Sequence, residues 1–213
     1  ELIQSALNAR GDGWRYEVVN MGVGNANTSM EQRAFEENVA ALAPDAVVLN
    51  YFVNDAEPTP VPGGNFLSRH SYAYIFIRAR WTLLRSRLGA APDWRQYYRS
   101  LYEDPEQWAR TDAAIRAIAR QAADRNLPFA IVSYPELHQL TDYPFTFIDD
   151  RLAAIAADLR VPFLRLVDAV QGADEPTLWV DPMDAHPNAT ANRMFVGPLL
   201  PFVTRLIEGP SAR

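Results

Sequence analysis

Two nearly unbroken apolar runs, Asp45 to Tyr51 (DAVVLNY) and Pro128 to Tyr134 (PFAIVSY), limit the fold more than any other feature of this sequence. A strand that is apolar at consecutive positions has no face to give to water. It belongs in a sheet covered on both sides, which in practice is a parallel sheet flanked by helices. The segments around the two runs supply those helices. Phe35, Val39 and Leu42 recur at helical spacing after the helix-start chemistry of Ser29-Met30-Glu31-Gln32, and the pattern stops at Pro44. Helical patterns also run from about Trp108 to Arg125, from about Phe145 to Leu159 and from about Ala189 to Ile207, with a short strand at Val161 to Leu166. Trp14 to Asn20 (WRYEVVN), aromatic and β-branched and preceded by Gly11-Asp12-Gly13, reads as a further strand, and Gly22 to Thr28 as the loop after it. The repeated alternation predicts an α/β fold, a three-layer α/β/α sandwich around a mostly parallel sheet.

The chain has 213 residues, a length that one hydrophobic core accommodates, and residues 1–213 read as a single domain. Residues 57–105 do not fit a simple crossover. They open on Pro58, Pro60, Pro62, Gly63 and Gly64, continue through an aromatic- and Arg-rich helical pattern from Ser71 to Leu88, and read either as a crossover with a long surface loop or as an insertion that roofs a site. With 26 acidic against 20 basic side chains, the net charge of -6 gives no basic field for nucleic acid. No run of about 18 apolar residues suggests a membrane span. The absence of cysteine excludes thiolate nucleophiles and thiolate metal sites, and every basic residue is Arg, which excludes lysine Schiff-base chemistry.

Ligands of open parallel sheets gather beyond the carboxyl ends of the strands. Three segments placed there carry chemistry. The Gly- and Asn-rich stretch after Asn20 can turn backbone N–H groups toward a ligand, yet it matches neither GxGxxG nor GxxxxGK[ST]. Val53-Asn54-Asp55 places an amide donor directly after a buried strand, where Asn-Asp is also an ordinary turn signal. The third, Trp179 to Asn188 (WVDPMDAHPN), reads as a loop in which Asp184 precedes His186 by two residues and Pro187 fixes the backbone before a helix. A carboxylate that near an imidazole orients one ring nitrogen and leaves the other as a base. His70 and His138 read as structural or surface residues.

Asn20-Met21-Gly22-Val23-Gly24-Asn25, Val53-Asn54-Asp55 and Asp184-Ala185-His186-Pro187-Asn188 together resemble, in order and spacing, the second, third and fifth blocks of the SGNH (GDSL-type) hydrolases. The likeness extends from about Trp14 to the C-terminal helix. It implies a flavodoxin-like five-stranded sheet of order 2-1-3-4-5, His186 as general base, Asp184 as its orienting carboxylate, Asn54 as oxyanion donor and a backbone N–H of Gly24 or Asn25 as a second donor. It implies a serine esterase acting on ester-linked acyl groups, acetyl among them, of a carbohydrate or lipid, with no cofactor and no metal.

The Gly-Asp-Ser block that carries the nucleophile in that family is absent. Ser5, Ser86, Ser100 and Ser211 fall in helical or terminal contexts, Ser29, Ser68 and Ser71 look like helix starts, and Ser133 packs inside a strand. The expectation is therefore that the first, central strand and its serine lie upstream of Glu1. The alternative is a non-catalytic binding module of the same fold that holds a glycan or protein partner. Trp81, Trp94, Tyr97, Tyr98, Trp108, Tyr143 and Phe145 offer surface for sugar rings or acyl chains, and most of them read first as core.

Overall fold

A computed structural model describes residues 1–59, 93–182 and 184–209 of the chain. It is a mixed α/β structure. Helix α1 (Leu2–Asn8) is followed by α2 (Thr28–Leu42), strand β1 (Val47–Tyr51), helices α3 (Trp94–Glu103) and α4 (Pro105–Ala123), strand β2 (Phe129–Ser133), helix α5 (Thr146–Leu159), strand β3 (Phe163–Arg165), a hairpin of β4 (Trp179–Asp181) and β5 (Asp184–Pro187), and helix α6 (Ala189–Glu208).

The two apolar runs pair directly. β1, β2 and β3 form a parallel sheet in that order, with Val47 opposite Phe129, Tyr51 opposite Ser133 and Ser133 opposite Arg165. Strand periodicity divides their side chains between two cores. Leu49, Tyr51, Phe129 and Ile131 pack with Phe35 and Val39 of α2, Ile115 and Ile118 of α4 and Ile148 and Leu152 of α5. Ala130 and Val132 pack on the other face with Phe195, Leu199, Phe202 and Leu206 of α6. Helices thus cover both faces, which is why these strands tolerate apolar residues at every position.

Local chemistry sets the helix ends. The start of α2 is Asn27 rather than Ser29, because the Asn27 carboxamide accepts the Met30 N–H at 2.9 Å and caps the first turn. At the other end Ala43 takes a left-handed conformation, φ 43°, before Pro44. Asp104 caps α4 through the N–H groups of Glu106 and Gln107, with Pro105 at the first helical position.

Two readings of the sequence are corrected. Trp14 to Asn20 is not a strand. Its backbone is held by side-chain amides of α1: Asn8 accepts the Tyr16 N–H at 2.8 Å and donates to the Tyr16 carbonyl at 2.9 Å, while Gln4 accepts the Val18 N–H at 2.8 Å. β-branched residues favour extended backbone, but a strand also needs a ladder, and this segment has none among the described residues, leaving Trp14 77% exposed. The second correction concerns Trp179 to Asn188, which is an antiparallel hairpin rather than a loop, with Trp179 opposite Pro187 and Asp181 opposite Asp184. Three parallel strands are seen among the described residues where five were expected. The helical pattern predicted at Ser71 to Leu88 lies outside the described residues, whereas Trp94–Glu103 of the same stretch is helix α3.

Candidate functional site

The turn after β1 is fixed from several sides. A 3-10 turn, Val53–Ala56, begins as the sheet ends, and the buried Asp55 carboxylate accepts the Phe52 N–H at 2.7 Å. The Tyr102 hydroxyl of α3 donates to the Val53 carbonyl at 2.9 Å, so the Tyr51 hydroxyl, 2.8 Å away, donates to Tyr102. From the Gly- and Asn-rich segment, Asn27 donates to the Glu57 carbonyl at 2.8 Å and Thr28 to the Asp55 carbonyl at 3.3 Å. Two of the three chemistry-bearing segments are therefore tied together. Asn54 sits half-buried in this turn, and its side-chain amide makes no hydrogen bond to any described residue. Its backbone is constrained while its donor is left available.

Gly24 and Asn25 form an exposed turn closed by the Ala26 N–H on the Val23 carbonyl at 3.0 Å. Asn25 has φ 60°, in the left-handed region that Asn tolerates better than most residues, while a Cβ added at Gly24 would meet nothing within 4 Å. Both residues are exposed.

The hairpin brings Asp184 and His186 together. Asp184 Oδ1 lies 2.5 Å from His186 Nδ1 and also accepts the His186 backbone N–H at 3.1 Å. These two bonds hold the Asp184 carboxyl below the usual carboxylate value, the ring contact being the larger cause. With Nδ1 donating to the carboxylate, the lone pair is on Nε2, which faces outward on a side chain that is 81% exposed. Asn188 supports the hairpin from behind. It caps α6 by accepting the Thr190 and Ala191 N–H groups at 2.7 and 3.1 Å, and its amide donates to the carbonyls of Thr177 and Trp179 at 2.8 and 2.9 Å.

No hydrogen bond or ring contact among the described residues joins His186 to Asn54 or to the Gly24 turn. The hairpin is instead anchored to the segment after β2: the Trp179 indole donates to the Leu137 carbonyl at 2.8 Å, and its ring lies 4.6 Å from the His138 ring. His138 is more than a surface residue. Its Nδ1 is 2.5 Å from Glu136 Oε1, and it lies between Trp179 and Trp94 of α3, the latter 5.4 Å away. Glu136-Leu137-His138 has the same acid-x-His spacing as Asp184-Ala185-His186, and that repetition is the signal that could have singled it out. His70 lies outside the described residues.

Ser133 is buried, and its hydroxyl donates to Asp149 at 2.6 Å, so it is engaged in the core. The other Asp149 oxygen is buried without a partner, and burial pushes the carboxyl up to about 6. Glu31 of α2 is the second such acid. One of its oxygens is buried and unpartnered, and desolvation raises it to about 7, while burial followed by the charge of Glu31 drives Asp55 in the same direction. Among the described residues no group of three His, Asp or Glu side chains is placed to hold a metal ion, and no helix is long and apolar enough to cross a membrane.

No protein-family model matches the chain, and no curated protein is significantly similar to it.

Proposed function

We propose that the chain belongs to an SGNH-type serine esterase that removes or transfers acyl groups, acetyl among them, from a carbohydrate or lipid. The observation that carries this reading is the Asp184–His186 pair, an imidazole with Nδ1 tied to a carboxylate and Nε2 turned outward. The nucleophilic serine is proposed to come from outside the present sequence, on a strand upstream of Glu1 that pairs with the edge of β1 that carries no ladder among the described residues. With that strand the parallel sheet of the described residues grows from three strands to four, toward the proposed five-stranded flavodoxin-like order.

The chemistry follows from the groups. The serine oxygen attacks the ester carbonyl while His186 Nε2 takes its proton, and the imidazolium is steadied by Asp184. The oxyanion accepts from the Asn54 amide and from a backbone N–H of Gly24 or Asn25, donors that need no reorganisation because their turns are pinned. His186 then returns the proton to the leaving alcohol, and water repeats the sequence on the acyl-enzyme. In a protein that includes the serine-bearing strand, His186→Ala should lower kcat on p-nitrophenyl acetate by about a thousandfold or more with an unchanged melting temperature. Wild-type turnover in that variant sinks the assignment.

The engagement of Ser133 with Asp149 favours one competing reading, a non-catalytic module whose cleft holds a glycan. It wins if a protein with the strand in place retains an oligosaccharide and turns over no ester.

A further inference from the structure

The Asp93 cap and helix α3 present Asp93, Gln96, Tyr97 and Ser100 at intervals of three, four and seven residues, which places them on one face. That face lines an open surface cavity of about 280 Å³. The volume is at the lower end of the roughly 300–1,000 Å³ of small-molecule sites, enough for one ring and too little for a long chain.

The lining is specific in its chemistry. The carboxylate of Asp93 is paired with Arg95, whose Nε is 3.1 Å from Oδ1, and the Glu57 carboxylate at the Tyr97 hydroxyl adds negative charge beside this face. The Gln96 amide makes no hydrogen bond to any described residue and can both donate and accept. Ser100 donates its hydroxyl proton to the Tyr97 carbonyl at 2.6 Å and keeps acceptor capacity. Tyr97 is 44% exposed, and its hydroxyl is held by Glu57 at 3.2 Å, which fixes the orientation of the ring. A fixed aromatic ring beside neutral donors and acceptors suits a neutral polyhydroxylated ring. It does not suit an anion, which needs a free cation.

The placement of α3 adds to this. Tyr97 joins it to Glu57, three residues after Asn54, and Trp94 joins it through His138 to Trp179, the ladder partner of Pro187 beside His186. The helix that carries the cavity thus braces both the turn of the oxyanion donor and the hairpin of the base.

We infer that this face of α3, with Gln96 and Tyr97 as its contact residues, binds a neutral sugar ring of the substrate. The inference rests on the acyl-ester reading only for the purpose of binding, since retention of the sugar needs no catalysis. The test is retention of the full chain on an array of neutral gluco-, xylo-, manno- and galacto-configured oligosaccharides, their N-acetylated forms and uronic-acid oligosaccharides. At least one neutral class should be retained. Tyr97→Ala and Gln96→Ala should each weaken retention by about tenfold or more, with Tyr97→Phe between Tyr97→Ala and the wild type, because the ring is kept while its bond to Glu57 is lost. Matching melting temperatures show that the variants are folded, and Gln96→Ala, which removes no hydrogen bond to any described residue, decides the matter if Tyr97→Ala melts early.

Retention of no neutral oligosaccharide, retention of uronic acids alone, or retention unaltered by both alanine variants would each overturn the inference. The two readings fail separately: in a protein that includes the serine-bearing strand, sugar retention with no ester turnover leaves the α3 site standing and removes the esterase, whereas turnover without retention does the reverse.

Discussion

Glu31 and Asp149 are acids that folding moves into places where their charged forms are poorly solvated, each with one buried oxygen lacking a partner. For Glu31 the protonated form is preferred up to about 7, against 4.5 in the absence of structure, and for Asp149 up to about 6 against 3.8. Between those limits the folded chain binds more protons than the unfolded chain, so stability falls as pH rises. The contribution is complete below about pH 4 to 5 and is lost as pH climbs through 6 to 7. Urea midpoints should therefore decrease from pH 5 to pH 8, and Glu31→Gln should flatten the slope and raise stability at pH 8 by about 1–3 kcal/mol. A variant with the wild-type slope would show that Glu31 is ionised at no cost. Neither acid was legible in the sequence, because burial of a carboxylate depends on what packs over it. The pairing of Asp184 with His186 was legible from a two-residue spacing, and the equivalent spacing of Glu136 and His138 was passed over because nothing in sequence showed two indoles around that ring.

At the scale of elements, the Asn188 side chain ties the hairpin that presents His186 to helix α6, alongside the Trp179 indole bond to Leu137. The Asn188 carboxamide makes four hydrogen bonds, two as the cap of α6 and two to the carbonyls of Thr177, in the 3-10 turn before β4, and of Trp179 in β4. Asn188→Ala should lower stability by about 2–3 kcal/mol, about one from the lost cap and the rest from carbonyls left unpaired, readable as a shift of the thermal midpoint. Asn188→Asp keeps the accepting oxygen and should recover the cap but not the hairpin bonds. If Asn188→Ala melts with the wild type, β4–β5 pairing and the Trp179–Leu137 bond hold the hairpin without it. Strands β1 and β2 and helices α4, α5 and α6 were legible because their apolar periods are long and unmixed. Trp14 to Asn20 was misread for a physical reason: residue preferences report willingness to extend, while strand formation depends on a neighbour that those residues do not encode.

For the whole molecule the central fact is the asymmetry of the sheet. β2 is laddered on both sides, and β1 on one side only among the described residues. Val47 donates to Pro128 and Tyr51 accepts from Tyr134, so by the alternation of a parallel ladder Val48 and Asn50 turn their N–H groups the other way. An outward N–H at position 50 makes a selective test: Asn50→Pro removes a donor that β2 never uses, leaving the β1–β2 ladder intact while blocking strand addition. In a protein that includes the serine-bearing strand, this substitution should abolish esterase activity, yet in the 213-residue chain it should leave the melting temperature within a few degrees of the wild type.

The same bare edge governs how the chain behaves in a concentrated solution. Among the described residues the outward amides of β1, next to the buried Leu49 and Tyr51, have no ladder partner and form a template on which a second molecule can add an extended segment, and Trp14, Val18 and Val19 provide apolar surface of the kind such pairing covers. Colloidal behaviour thus becomes a reporter of sheet completion. Sedimentation of the 213-residue chain should show association that grows with concentration and is suppressed by Asn50→Pro, and a synthetic strand peptide that occupies the edge should keep the solution monodisperse.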